Sequence, residues 1–398
     1  MTATPTLGST DAAWMAERRD RASSALTGIS MPSEREEVWR YLDLSFDPAI
    51  DSAHTEAGEP SGPDELLREW SGAVVSVIDG FVVSGARVAD SSSEPSPAVK
   101  GADLFTTSFD AYTPGSALID GDLLDQPVFV DVQATGVSTT YPGVHIDVPA
   151  GADGAVVVRY RSSTDVACVV VPRLTATVGD NARLNLIIVQ DWNYATRAMG
   201  RAVIDLGRDA GLTLSEVGLG GKIGRLHLDV NYIGRGSHAK IYGAYFGEDD
   251  QTLDYRYFMN HIGTNTRADM FLKGAVEDSA LSVFTGMIRI EKTGQKTESF
   301  QTNRNLILSE GAAAQSVPNL EILANDVKCG HGSSVGPLDA DQRYYLRSRG
   351  LTADRADRLQ VQGFFEEVVS LIPHKELAAT LRERINAKYV TAQEEGRV

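Results

Sequence analysis

From about residue 127 the chain is written in short β-branched runs separated by glycine-centred turns. The runs Val128–Val132, Ala155–Tyr160, Val166–Val171, Leu184–Val189, Leu226–Tyr232 and Lys240–Tyr245 are predicted strands. Turn glycines at Gly151, Gly179, Gly207, Gly234 and Gly263 are separated by 28, 28, 27 and 29 residues. Each is followed by a similar phrase (ADGAVVV, DNARLNL, RDAGLTL, RGSHAKI, TNTRADM): polar residues, a small residue, then alternating apolar positions. Repeats of this length mark solenoids, propellers or arrays, and a propeller blade needs about 40–45 residues. A shorter unit of strand and turn suits one coil of a β-helix, which buries its apolar face only by stacking on the next coil. The competing reading is a β-sandwich with regular turns, and the constancy of the spacing favours the solenoid.

The flanks have a different texture. Residues 11–29 read as an amphipathic helix, with Asp11 as N-cap and Trp14, Met15, Ala22 and Leu26 at helical spacing. Pro32 opens a segment from Glu34 to Leu44 containing Trp39-Arg40-Tyr41, and residues 47–66 are polar loop. A short helix near 64–70, a strand near 73–83 and a Ser/Pro-rich loop over 91–97 follow. At the other end, Asp339 to Arg349 reads as a helix with Asp339 as N-cap and Gly350 as its stop. Thr352 caps a second helix to about Ile372, ended by Pro373, and a third runs from His374 to about Tyr389. The expected organisation is an N-terminal helical region (1–75), a β-helix core with a loop-rich lead-in (76–336) and a C-terminal helical domain (337–398).

Composition narrows the function. The formal charge of −17 opposes nucleic acid and anionic membranes. Two cysteines, Cys168 and Cys329, exclude a disulfide-stapled scaffold and are too few for a four-thiolate cluster within one chain. No signal peptide or transmembrane segment is read, so the expectation is a cytoplasmic protein.

Motifs for nucleotide chemistry are missing. Around Gly221-Lys222, Glu216 stands where a P-loop needs its first glycine and Ile223 where it needs Ser or Thr. There is no nucleophile elbow and no zinc-binding helix motif. Cys168, in an apolar run, reads as packing; His145 and His227 read as wall or surface residues. The Tyr242–Tyr257 stretch reads as a sugar-stacking face, a packed outer face or a protein interface, the last preferred. The one suggestive constellation is Asn325 to Gly332. If Leu320 to Lys328 is a strand that continues, Cys329 and His331 project from one face. Thiolate and imidazole make a soft pair suited to iron, zinc or a sulfur-bearing cluster, and Lys328 would favour the thiolate. Two ligands do not complete a site, and on pattern alone the preferred reading is Cys329 as a small core residue and His331 hydrogen-bonding a neighbouring turn.

Pro318-Asn319-Leu320-Glu321-Ile322, Asp326-Val327-Lys328-Cys329-Gly330-His331-Gly332, Val335-Gly336, Leu338-Asp339 and Tyr345 to Gly350 resemble the SufD proteins of the SUF iron–sulfur assembly system. So do Phe284-Thr285-Gly286, Gln301 to Leu306, and Glu37 with Trp39-Arg40-Tyr41. The related SufB proteins usually run longer and carry more cysteines. Gly330 departs from a common Ser, and Ser333-Ser334 from a common Ala-Thr. The resemblance implies a right-handed parallel β-helix flanked by helical segments. It also implies pairing with a SufB-like subunit, and a SufC-like ABC ATPase docked on the C-terminal helices. It reverses the pattern-only preference for His331, which becomes a candidate ligand for iron or a transient iron–sulfur cluster, with Cys329 beside it. On this reading the chain is a non-catalytic subunit with no ATP site, able to form a homodimer when isolated. Tyr345, Arg347, Arg349, Phe364 and Phe365 are interface candidates, although Phe364 and Phe365 also suit a buried core. The alternative from another class, an exported β-helix polysaccharide lyase or esterase, is opposed by the free cysteines and the missing signal peptide.

Overall fold

The computed structural model describes residues 13–50, 53–62, 66, 70–89, 103–136, 138–163 and 167–394. Asp11, the 91–97 loop, Val166 and most of the segment predicted as a short helix near 64–70 lie outside the described residues.

Two parallel sheets form a β-solenoid. The first runs, in spatial order, β2 (Phe81–Ser84), β1 (Ala73–Ile78), β5 (Val128–Ala134), β7 (Asp153–Ser162), β10 (Arg183–Asp191), β12 (Gly211–Gly218), β14 (His238–Gly247), β16 (Arg267–Val276), β18 (Thr297–Ile307) and β20 (Val327–Gly336). The second runs β3 (Arg87–Val88), β4 (Ser116–Ile119), β6 (Gly143–Val148), β9 (Arg173–Val178), β11 (Arg197–Leu206), β13 (Ile223–Tyr232), β15 (Thr252–His261), β17 (Leu281–Ile290) and β19 (Ala313–Ile322), with β8 (Val169–Val170) beside β11. Among the described strands only β2, on β1, and β3, on β4, pair antiparallel.

Along the first sheet Asp153 aligns with Arg183, then with Gly211, His238, Arg267, Glu298 and Lys328. The expected repeat is therefore present, with one correction. Gly151 does not align with Gly179; it belongs to a column of left-handed turn residues that continues as Asn181, Asp209, Gly236, Asn265 and Lys296. Gly179, Gly207, Gly234 and Gly263 form a second column, where coils approach too closely for a side chain. A Cβ on Gly179 would lie 2.6 Å from the Ala150 nitrogen, and one on Gly263 2.6 Å from the Gly234 oxygen.

Inward residues change character along the axis. Val130, Val158, Leu186, Leu214 and Ile241 fill the early coils, while the inner face of β18 is Ser299, Gln301, Asn303 and Asn305, all buried. Helices cover the two outer faces. α1 (Ala13–Leu26) packs with α2 (Leu104–Tyr112), which is capped by Asp103 in a reciprocal box with Thr106. Trp39, Leu42, Phe105 and Phe109 close over Met199 and Ile223 of the second sheet and over Val171, just after β8. α3 is the single turn Gly121–Leu124.

On the first sheet lies a hairpin of α5 (Ala353–Val369) and α6 (Lys375–Glu394), preceded by α4 (Ala340–Ser348). The predicted caps Asp339 and Thr352 both accept backbone N–H bonds, and Gly350 takes the left-handed conformation. Val361, Phe365, Val368, Leu381 and Ile385 bury against Phe129, Ile187, Val217 and Phe246. Ion pairs pin the hairpin at its flanks: Lys273 with Glu367, Arg384 with Asp191 and Lys388 with Glu248. No described helix is long and apolar enough to cross a membrane.

Candidate functional site

The solenoid finishes at β19 and β20, each the last strand of its sheet. Leu320 to Lys328 is not one strand, as expected from sequence: β19 stops at Ile322, a turn spans 323–326, and β20 begins at Val327 on the opposite sheet. The turn is required because the next coil must change sheets. Cys329 and His331 nevertheless share a face, both lying on β20. Cys329 aligns with Ser299, His331 with Gln301, Ser333 with Asn303 and Val335 with Asn305, so all four continue inward-facing columns. With no further coil above them among the described residues, His331 is exposed and Cys329 half-buried against the interior.

Burial pushes the Cys329 thiol up, away from thiolate. The expected activation by Lys328 does not occur in this chain: Lys328 occupies the opposite face of β20 and donates to Glu298 Oε1 at 3.0 Å. Among the described residues no group of three or more His, Cys, Asp and Glu side chains is arranged to hold a metal ion. His331 and Cys329 supply nitrogen and sulfur donors to which other ligands would have to be added from outside.

Behind this mouth the interior is polar. Gln301 is 1% exposed, its Nε2 meets the Asn319 carbonyl at 3.5 Å, and its Oε1 has no partner. The Ser316 hydroxyl on β19 is also buried and unpartnered. His261 bonds Thr266 Oγ1 at 2.8 Å and Ser299 Oγ at 3.1 Å, and stacks on Tyr232. Burial lowers His261 to about 3, so its ring is neutral.

Deeper still, the Tyr245 hydroxyl donates to Asn305 Oδ1 at 2.6 Å and accepts from Asn303 Nδ2 at 3.1 Å. Its ring lies along the axis over Gly274, where any Cβ would strike it. Glu216 accepts from Gln190 Nε2 at 3.0 Å, and burial raises its carboxyl to about 8.

The other sequence candidates are dispersed. Tyr345, Arg347 and Arg349 lie on or just after α4, a helix with no buried residue; the Arg349 guanidinium sits 5.1 Å over the Tyr345 ring. Phe364 is half-buried over Lys273. Phe365 is 2% exposed against Phe246, so within this chain it takes the core role rather than an accessible one. The Tyr242–Tyr257 stretch is not the exposed interface preferred from sequence. Tyr245, Tyr255 and Tyr257 fill the interior, and Phe246 lies beneath α5. Cys168 is buried, as expected of a packing residue. Sequence reasoning missed Gln301, Asn303 and Asn305 as interior groups, because this segment is polar on both faces.

Comparison with known proteins gives these features a context. Residues 130–364, more than half the chain, match the SufBD core domain of the SUF system for FeS cluster assembly. An iron–sulfur cluster assembly SufBD family protein of Mycobacterium tuberculosis is 29% identical over 377 residues, covering 92% of this chain and 90% of that protein. The iron–sulfur cluster assembly protein SufD of Escherichia coli is 28% identical over 252 residues, 63% of this chain and 60% of its own. SufD of Bacillus subtilis is 33% identical over 159 residues, 39% and 36% of the two chains.

Proposed function

The chain belongs to the SufBD family of iron–sulfur cluster assembly proteins, and from that premise we propose that it is a scaffold subunit of the SufD type, without catalytic turnover of its own. The observation that carries the reading is the uncovered last coil, which puts His331 and Cys329 at an open end beside exposed Leu320, Ile322 and Val335. A SufB-like subunit would cover this end, adding strands to the free edges of β19 and β20 and supplying the ligands that two side chains lack. Iron or a nascent cluster is then a transient substrate held between the subunits, with His331 as one ligand and Cys329 beside it. Residues 337–398 would receive a SufC-like ABC ATPase, and the exposed Tyr344 and Tyr345 of α4 support that assignment. ATP-driven dimerisation of that partner would pull on α5 and α6 and rearrange the open end. The proposed location is the cytoplasm, and two copies could pair through the same edges when the chain is isolated. The polysaccharide-lyase alternative is not favoured by the family match.

An anaerobic pull-down of the tagged chain from its native host tests the partners. A cysteine-bearing homologue and a P-loop ATPase are expected, and recovery of the chain alone refutes the reading. His331→Ala should leave that complex intact and abolish its cluster yield; wild-type yield would remove His331 from the site.

A further inference from the structure

The outer face of the second sheet buries a charge that no described residue pairs with. Leu226, Leu228, Tyr255 and Tyr257 of β13 and β15 face the interior, so Arg225, His227, Asp254 and Arg256 face outward. In register, Arg225 stands beside Asp254 and His227 beside Arg256. Arg225 forms a buried ion pair with Asp254 Oδ2 and donates to the Val38 carbonyl at 3.1 Å. The Trp39 ring lies 4.0 Å from its guanidinium, which sets the Glu37–Trp39 turn against this group of side chains. Arg256 differs from its neighbour. It is 4% exposed and makes no hydrogen bond or ion pair among the described residues, and its Nε is buried. Asp254 is the largest charge opposing its desolvation; Glu37 opposes it less and is exposed. Asp254 lies two residues away on the same face, and its Oδ1 is likewise buried without a partner. A third such atom is His227 Nε2, 3.7 Å from Asp229 Oδ2, on a ring that burial and Arg201, Arg225 and Arg256 keep neutral. A guanidinium and a carboxylate with spare hydrogen-bonding capacity, buried side by side, close on each other unless a third group bridges them. Water would bridge them without balancing the charge, because two guanidiniums face one carboxylate. An anion that accepts from Arg256 and carries an O–H for Asp254 Oδ1 does both.

We propose that Arg256, Asp254 and His227 form a binding site for one protonated oxyanion, inorganic hydrogenphosphate, beside the Glu37–Trp39 turn. The Arg256 guanidinium donates to its oxygens, and its O–H donates to Asp254 Oδ1. A fully ionised oxyanion of the same shape cannot complete the second bond and meets a carboxylate instead.

The test is calorimetric titration of the full-length chain in phosphate-free buffer near neutral pH, with sodium phosphate and with sodium sulfate at matched ionic strength. Phosphate should bind once per chain, and sulfate, which has the same shape without the proton, at least about tenfold more weakly. Arg256→Met should weaken phosphate binding at least about tenfold. Its thermal midpoint in phosphate-free buffer should equal or exceed that of wild type, because an uncompensated buried charge is gone. Asp254→Asn, whose amide can donate, should bring sulfate level with phosphate or ahead of it. Should that variant fail to fold, with Arg225 left unpaired, Arg256→Met decides alone. The proposal is overturned by no phosphate binding, by equal binding of phosphate and sulfate to wild type, or by wild-type affinity in Arg256→Met. A lowered midpoint of Arg256→Met in phosphate-free buffer assigns the guanidinium a structural role and overturns it too.

Discussion

Glu216 offers a quantitative probe of the solenoid interior. It is 1% exposed; Gln190 donates to Oε1, Oε2 has no hydrogen-bond partner, and the Tyr257 hydroxyl lies beside the carboxyl. Burial raises its pKa from 4.5 to about 8. Between those values the folded chain holds a proton that the unfolded chain has released, so stability falls as pH rises across this window and levels off above it. At about 1.4 kcal/mol per pH unit, the loss from pH 4.5 to pH 8 is about 5 kcal/mol. Glu216→Gln mimics the neutral acid: its oxygen still accepts from Gln190, and its NH2 replaces the acid's O–H. The variant should match wild type near pH 5 and become progressively more stable than wild type up to about pH 8. Urea midpoints for both proteins at half-unit pH steps measure the gap. Parallel curves across the whole range would refute the claim that the folded interior holds the carboxyl neutral.

Three further outcomes follow from packing and burial. Gly274→Ala drives a methyl group into the Tyr245 ring and should cost at least about 1–3 kcal/mol in urea unfolding; a neutral result would mean that the ring does not lie along the axis. Phe365→Ala should cost about 3–5 kcal/mol and speed amide exchange in α5 and α6 before the strands, whereas uniform exchange would show that the hairpin and solenoid open as one unit. His261, held neutral with a pKa near 3, contributes stability that is full above pH 6.5 and lost as pH falls toward 3, because only the unfolded chain takes up the proton. His261→Gln should flatten that acid limb relative to wild type, and an unchanged limb would place the acid sensitivity elsewhere.

The coil period was legible because close-packed turns admit only glycine, and four of the five glycines occupy one such column. Gly151 misled by two residues because it answers a different demand, a left-handed turn position that Asn, Asp and Lys fill in later coils. The C-terminal helices were legible from Asp339, Gly350 and Thr352, whose capping chemistry is local. Which way the tyrosines faced was not: Tyr245 fits inside only because Gly274 stands opposite it, a pairing set by register. Cys329 and His331 were read on one face from their spacing alone. The same alternation puts Lys328 on the other face, so its assignment as thiol activator failed on information already in the sequence. Gln301 gave no such clue, since Thr302 and Arg304 on the outer face are as polar as Gln301 and Asn303 on the inner one.

The finishing coil also bears on supply. β19 and β20 are each ten residues long and, among the described strands, each paired along one side only. Long strands with one bare side recruit further strands, productive or otherwise. On the proposed pairing with a SufB-like subunit, the amount of this chain a cell can hold is set by how much of that subunit is made alongside it. Synthesis in step consumes the bare sides as they emerge, and surplus copies face self-pairing, aggregation or proteolysis. Raising the dose of this subunit alone should lower, rather than raise, the fraction recovered in usable form.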